Sequence, residues 1–121
     1  MSGVTGIAPI FAVRDLERAF AHYERMGFTR RAYGDGNQYG FVGRDGFELH
    51  LGVVPDERRT ASAAYLFVDD ADALAAAWRT AGVEIHGPED TPWGRREGAI
   101  LDPDGNTIRF GSPLTQARSV T

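Results

Sequence analysis

One pattern occurs twice in the chain, and it restricts the possible folds more than any other feature. Residues 45–52 read DGFELHLG, and residues 104–111 read DGNTIRFG. Both segments consist of Asp-Gly, two variable residues, an alternation of apolar, polar and apolar residues, and a final Gly. Asp-Gly is a strong hairpin-turn signal because glycine tolerates a positive φ, and the alternation has the period of a strand. The repeat therefore indicates two copies of one structural unit.

A similar helix precedes each copy of the pattern. In the first half, Asp15 is placed to cap a helix that ends before Gly27. In the second half, Asp69 or Asp70 is placed to cap a helix that ends before Gly82. Both helices carry apolar residues at helical spacing, namely Leu16, Ala19, Phe20 and Tyr23 in the first and Ala71, Leu74, Ala75 and Trp78 in the second.

Strand-like segments surround each helix, with one before it and three after it. They cover residues 7–13, 28–33, 38–42 and 47–51 in the first half, and residues 64–68, 83–86, 95–101 and 107–110 in the second. Each half is therefore predicted as β-α-β-β-β, with module one at residues 5–53, module two at residues 62–113, and a loop at residues 54–62.

We expect a single α+β domain over residues 1–121, in which the two modules form a half-open barrel with an internal cleft and the helices outside. The alternative is a generic α+β domain in which the two Asp-Gly turns coincide by chance. We expect no fixed structure after Pro113, because chain termini are commonly untethered.

Composition and charge exclude several classes of function. Hydrophobic residues make up 42% of the 121-residue chain and charged residues 25%, which is enough for a globular domain with a core. The net charge of -4 disfavours nonspecific nucleic-acid binding, and no apolar run has the length of a membrane span. The chain contains no Cys, which excludes disulfides, thiolate metal sites and cysteine nucleophiles. We find no secretory signal at the N-terminus, and we expect a cytoplasmic protein with neither nucleic acid nor membrane as a partner.

Three further segments resemble a known family. They are FAVRDL at residues 11–16 with Gly27 and Phe28 after the helix, DPDGN at residues 102–106, and PWGR at residues 92–95. The first two resemble the opening strand and helix and the terminal hairpin of the vicinal oxygen chelate superfamily, which includes glyoxalase I, extradiol dioxygenases, fosfomycin-resistance enzymes and bleomycin-resistance proteins. The third is similar to the loop before the seventh strand in the antibiotic-binding branch. The resemblance covers the chain from residue 7 to about residue 113 and implies the same two-module barrel.

The resemblance also indicates where a metal would be bound. Enzymes of this superfamily place His, Gln or Glu ligands on the first, fourth, fifth and eighth strands, and the matching positions here are Ala8, His50, Ala63 and Arg109. Only His50 can ligate a divalent cation, because Ala has no donor and the guanidinium stays protonated. A catalytic metal site usually has at least three protein ligands. We therefore expect no metal, no cofactor and no catalytic residues, although an acid–base role for Glu48 with His50 is left open.

Strand parity places a set of side chains in the cleft. If His50 and Arg109 point inward, side chains two positions away on the same strands point inward as well. The sequence does not fix the direction of Tyr39 and Phe41, and we place them inward. The predicted ligand-binding residues are Tyr39, Phe41, Glu48, His50, Tyr65, Phe67, Trp93, Arg95 and Arg109. The alternate positions, predicted to face the helices, are Phe47, Leu49, Leu51, Ile108 and Phe110.

This set of side chains is typical of a site for a small aromatic molecule, although core packing is the alternative for each aromatic residue. Flat rings provide stacking area, and a few polar groups set orientation. Glu48 favours a cationic ligand, whereas Arg109 favours a carboxylate or carbonyl group.

Our leading hypothesis is metal-free binding of such a molecule, with antibiotic sequestration as in the bleomycin-resistance branch. The resemblance implies a homodimer with clefts at or near the subunit interface, and exchange of the N-terminal strand is left open. The alternative hypotheses are a metal-dependent lyase, isomerase or dioxygenase, and a sensor for an unidentified ligand.

Overall fold

The computed structural model describes residues 2–114, and it contains the two modules that the repeat predicts. The first module comprises β1 (Ile10–Val13), α1 (Leu16–Arg25), β2 (Thr29–Ala32), β3 (Tyr39–Arg44) and β4 (Phe47–Val53). The second comprises β5 (Ala63–Phe67), α2 (Ala71–Thr80), β6 (His86–Asp90), β7 (Arg95–Leu101) and β8 (Thr107–Pro113). The tail after Pro113 is predicted to have no fixed structure, and residues 115–121 of this tail lie outside the described part of the chain.

Each module folds into one four-stranded mixed sheet. The strand orders are β1-β4-β3-β2 and β5-β8-β7-β6. In both sheets the first strand runs parallel to the last strand of its own module, and the other neighbours are antiparallel. The predicted α+β class is confirmed, and the two sheets do not close into a continuous barrel.

Both helices begin and end where the sequence indicates. The Asp15 side chain accepts a hydrogen bond from the backbone N–H of the third residue of α1, at 3.0 Å. Asp70, rather than Asp69, makes the equivalent 3.0 Å bond at α2. These bonds satisfy backbone donors that the first helical turn leaves free. Gly27 and Gly82 follow the two helices with φ of 85° and 89°, the left-handed conformation that glycine adopts without strain.

The core lies between the helices and one face of each sheet, and the two modules share it. Trp78 is 2% exposed, and its indole N–H donates to the backbone oxygen of Met26 at 2.9 Å, which joins α2 to the end of α1. The prediction that Trp78 lies in the core is confirmed. The other large buried side chains are Phe11, Phe20, Tyr23, Met26, Leu51, Ile100, Ile108 and Phe110.

Side chains of the hairpin at residues 102–106 form hydrogen bonds that join the second module to the first. Asn106 is fully buried, and its side chain donates to the Ala12 oxygen at 3.0 Å and accepts from the Ser62 N–H at 2.9 Å. The Tyr23 hydroxyl donates to Asp102 at 2.9 Å. Burial, together with the charge of Asp102, raises the pKa of the Tyr23 phenol far above its ordinary value. The polar residues of this hairpin therefore stabilise the contact between the modules.

The sixth strand differs from the prediction. It spans His86–Asp90, whereas the sequence places it at residues 83–86. Val83 is buried, and its N–H donates to the oxygen of Trp78 at 2.9 Å, so Val83 lies in the turn that follows α2 rather than in a strand. Pairing with β7 starts only at His86. The loop prediction for residues 54–62 agrees with the structure, apart from one 3-10 turn at Asp56–Arg58.

Phe47 also differs from the prediction, because it does not contribute to the core. Its side chain is 78% exposed, whereas Leu49 and Leu51, on the same side of β4, are buried. Phe47 pairs with Arg44 at the hairpin end of the sheet, so strand parity is correct but the core does not extend to this end.

No helix within residues 2–114 is long and apolar enough to cross a membrane.

Candidate functional site

Each sheet has one face that carries no helix, and the predicted site residues lie on these two faces. On the first sheet, His50 pairs with Ile10 on one side and Phe41 on the other. Tyr39 and Phe41 therefore share the face of His50, on the side away from the buried Val42. We call this surface the first open face, and it consists of Ile10, Ala12, Arg31, Tyr39, Phe41, Glu48 and His50.

The second sheet repeats the arrangement. Arg109 pairs with Tyr65 on β5 and with Ala99 on β7. We call this surface the second open face, and it consists of Tyr65, Phe67, Arg95, Glu97, Ala99 and Arg109, with Trp93 on the loop before β7. Within residues 2–114, the recorded hydrogen bonds and ring contacts of the predicted site residues stay inside their own module. The structure therefore brings these residues together as two groups.

An aromatic cluster surrounds His50 on the first open face. The Tyr39 hydroxyl and His50 Nδ1 share a 2.9 Å hydrogen bond, and the ring centroids of Phe41 and His50 lie 4.7 Å apart in an edge-to-face arrangement. Tyr33 adds an edge-to-face contact to both Tyr39 and Phe41. Such pairs stabilise one another beyond the area they bury, so the cluster presents a defined surface.

The charges on the first open face pair with each other. Arg31 donates to the Glu48 carboxylate at 2.8 Å, and its guanidinium lies 3.9 Å from the centroid of the Phe41 ring. Because Glu48 bonds to Arg31 and His50 to Tyr39, the geometry does not favour the acid–base pair that the sequence left open. Sequence reasoning missed Arg31, since only the strand register shows that it lies opposite Phe41.

Glu97 is the centre of a polar network on the second open face. Its carboxylate accepts hydrogen bonds from the Tyr65 hydroxyl at 2.7 Å, the Trp93 indole at 3.2 Å and Arg109 at 3.4 Å. These donors, the Tyr65 hydroxyl above all, hold the pKa of Glu97 below its ordinary value. Burial and the bond to Glu97 raise the pKa of Tyr65. Sequence reasoning placed Glu97 on the same strand as Arg95 but did not include it in the site.

Arg95 holds the aromatic side chains of the second open face in position. It donates to the Gly111 oxygen at 2.9 Å and to the Tyr65 hydroxyl at 3.3 Å, and its guanidinium lies 5.4 Å from the centroid of the Phe67 ring. Phe67 is 81% exposed and Trp93 is 65% exposed. Arg95 thus holds the exposed Phe67 ring, whereas the exposed Trp93 ring is held by its bond to Glu97.

The final glycine of the duplicated pattern has the same role on both faces. A side chain at Gly111 would overlap the Tyr65 hydroxyl and approach Glu97 Cγ to 2.9 Å. At Gly52, the equivalent position, it would lie 3.3 Å from the Tyr39 ring. In each module the glycine therefore leaves room for a tyrosine side chain, Tyr39 beside β4 and Tyr65 beside β8.

The residues at the family's metal-ligand positions do not fit a catalytic metal. Ala8 and Ala63 provide no donor, and Arg109 carries a permanent positive charge. His50 alone has a ligating atom, and its Nδ1 is bonded to Tyr39. No group of three His, Cys, Asp or Glu side chains in the described part of the chain is arranged to hold a metal ion.

The linings of two surface depressions do not include the rings of Tyr39, Phe41, Tyr65, Phe67 or Trp93. Both are wide open and border Gly46, Phe47 and Glu48 at the hairpin end of the first sheet, and one of them extends along residues 5–8. Glu48 is the predicted site residue that they border, and the exposed rings of Phe67 and Trp93 lie outside both.

Comparison of the chain with known protein families identifies the family to which it belongs. The family described as the Glyoxalase/Bleomycin resistance protein/Dioxygenase superfamily matches residues 6–110. The chain belongs to this superfamily. The resemblance carried by the three sequence segments is thereby confirmed. No curated protein sequence matches the chain at a significant level.

Several solved structures share the fold of this chain. An antibiotic binding protein from Streptomyces sp. CB03234 is 30% identical, with a TM-score of 0.71, and the match covers 93% of this chain and 99% of that one. A bleomycin-binding protein complexed with bleomycin is 25% identical, with a TM-score of 0.76 and coverage of 90% and 98%. A bleomycin resistance determinant encoded on the transposon Tn5 is 24% identical, with a TM-score of 0.79 and coverage of 93% and 100%, and this likeness concerns the fold alone.

Proposed function

We propose that this member of the superfamily binds a small planar aromatic molecule on its open faces and holds it without chemical change. The observation that carries the proposal is the exposure of Phe67 and Trp93 around Tyr65 on the second open face. The first open face carries a second aromatic pair, Tyr39 and Phe41. Contiguous exposed apolar surface commonly marks a binding site. Flat rings with few rotatable bonds bind other flat rings at a low cost in conformational entropy.

The polar groups of the open faces are suited to orienting a ligand rather than reacting with it. Glu97, Arg95 and Tyr65 bond to one another or to the backbone, which fixes the rings before a ligand arrives. A surface that is already ordered loses less conformational freedom on binding. We therefore propose a site with no catalytic residue, metal or cofactor, formed by the predicted residues together with Arg31 and Glu97.

Two solved relatives support antibiotic sequestration as the biological role. One is described as an antibiotic binding protein and the other as complexed with bleomycin, at 30% and 25% identity to this chain. Tight burial alone keeps such a compound from its target, so the role needs no chemistry. The identities support this class of ligand and not one particular antibiotic.

A homodimer is part of the proposal. Pockets for small molecules usually bury most of the ligand surface, whereas the rings of Phe67 and Trp93 on the second open face are largely exposed in the single chain. A second copy across the open faces would convert them into clefts. Residues 2–7 are exposed ahead of β1, and exchange of this segment between subunits stays a prediction, as does the cytoplasmic location.

Tryptophan fluorescence tests the proposal directly. Titration with bleomycin and with planar polycyclic antibiotics is expected to quench the exposed Trp93 and to leave the buried Trp78 unaffected. Phe67→Ala removes one stacking surface and is expected to weaken binding about tenfold, or about 1.4 kcal/mol. Phe47→Ala is the matched control, because Phe47 is as exposed as Phe67 but lies outside the open faces.

Other outcomes identify the alternatives. Calorimetry that detects no binding across these compounds would remove the sequestration proposal. About one divalent metal per chain retained through dialysis would support the metal-dependent lyase, isomerase or dioxygenase. A metabolite that raises the melting temperature where no antibiotic does would support a ligand sensor.

A further inference from the structure

The second open face has a cation at its centre with most of its hydrogen-bonding capacity unused. The Arg109 side chain is 53% exposed, and among residues 2–114 its one hydrogen-bond partner is Glu97, at 3.4 Å. A guanidinium has five N–H donors in a planar arrangement that matches a carboxylate. Most of these donors are therefore available to a molecule that lies on the face.

The neighbouring carboxylates offer much less to a ligand. Glu97 has a side chain that is only 8% exposed and already accepts bonds from Tyr65, Trp93 and Arg109. Glu89 is exposed and lies across from Glu97 on the edge strand β6. Because β6 is two strands away from β8, Glu89 is separated from Arg109 by about 10 Å of sheet. The accessible charge next to the aromatic rings of β5 is thus positive.

The first open face does not offset this charge. Its carboxylate, Glu48, is bonded to Arg31 at 2.8 Å. The sequence alone left a cationic ligand possible because of Glu48, but the ion pair satisfies that carboxylate within the protein.

The position of Arg109 relative to the rings defines which part of a ligand it would meet. Tyr65 is its direct neighbour on β5, and the Phe67 ring lies 4.9 Å from the Tyr65 ring. A planar molecule that stacks on Phe67 and Tyr65 therefore places a substituent at its edge within reach of Arg109.

We propose that the ligand is a planar aromatic molecule with an acidic group, a carboxylate or an ionised phenol or enol, that pairs with Arg109. This inference rests on the proposed function and names the ligand class of the same site. It implies that the protein selects anionic aromatics although its own net charge is -4, because the local pairing outweighs a dispersed and screened charge.

Three probes that share one ring system test the inference: anthraquinone-2-carboxylate, the neutral anthraquinone-2-carboxamide, and the cationic 2-(aminomethyl)anthraquinone. Affinities are measured by quenching of Trp93 fluorescence and by calorimetry. We expect the carboxylate to bind at least about tenfold more tightly than the carboxamide, and the cation to bind most weakly, because charge-assisted bonds are about twice as strong as neutral ones. Added salt should reduce the advantage of the carboxylate.

Two arginine substitutions test whether Arg109 causes the preference for the carboxylate probe. Arg109→Gln is expected to lower the affinity for the carboxylate to that for the carboxamide. Arg25→Gln is the matched control, because Arg25 is an exposed arginine in the last turn of α1 and is expected to keep the preference.

Equal affinity for the three probes, tighter binding of the cation, or a preference that survives Arg109→Gln would overturn the inference and leave ring binding intact. If none of the probes binds, the proposed function fails together with it.

Discussion

Substitution of Asn106 measures how much the contact between the two modules contributes to the free energy of unfolding. The Asn106 side chain donates to the Ala12 oxygen and to Asp102, both at 3.0 Å, and it accepts from the Ser62 N–H at 2.9 Å. Asn106→Ala removes all three bonds at a fully buried site, where unpaired polar groups are costly. At about 1 kcal/mol for each bond, we expect a loss of about 3 kcal/mol in the free energy of unfolding. For a domain of this size the melting temperature falls by roughly 10 °C.

Urea unfolding followed by circular dichroism measures this loss, with the slope of the transition as a check on two-state behaviour. Gln38→Ala is the control, because Gln38 carries the same amide group at an exposed position with a single 3.3 Å bond to Gly36. We expect the control to change the unfolding free energy by less than about 0.5 kcal/mol. A loss below about 1 kcal/mol for Asn106→Ala, or an equal loss for both variants, would refute this reasoning.

Two further predictions concern the second open face. Gly111→Ala places a methyl group where the Tyr65 hydroxyl lies, so we expect separation of Tyr65 from Glu97 and weaker ligand binding by fluorescence titration, whereas Gly52→Ala has a smaller effect because its neighbour is 3.3 Å away. Equal effects of the two substitutions would contradict the steric argument. The pKa of Glu97 is lower in the folded chain than its ordinary value of 4.5. The ionised Glu97 carboxylate therefore stabilises the folded chain fully above about pH 4.5. This stabilisation is lost as the pH falls below 4.5 and passes through the lower pKa of Glu97 in the folded chain. Urea unfolding across this acidic range should show a weaker pH dependence for Glu97→Gln, and an unchanged dependence would show that the carboxylate is not stabilised in the folded state.

The elements of the fold that depend on local signals were predictable from the sequence. The caps and the glycines after the helices act within one turn of chain, so residue type identified Asp15, Gly27 and Gly82 and limited the second cap to Asp69 or Asp70. Strand parity then separated the core from the open faces, because alternate side chains of a strand point to opposite sides. The duplicated Asp-Gly turns ordered these pieces into two equivalent modules.

The features that depend on neighbouring strands were not predictable. Arg31 belongs to the first open face because the register places it opposite Phe41, and the central role of Glu97 depends on donors from three separate segments. The exposure of Phe47 reflects where the core ends, which parity cannot indicate. The true start of β6 depends on Val83 lying in the turn that follows α2.

If the open faces hold an aromatic ligand without the help of a metal, chelator-treated protein should still bind anthraquinone-2-carboxylate. An amide NMR titration measures this binding residue by residue. We predict saturable shifts confined to β3, β4, β5, β7, β8 and the loop around Trp93, with no requirement for added metal. Shifts centred on α1 or α2, or binding that appears only when a divalent metal is added, would contradict the account.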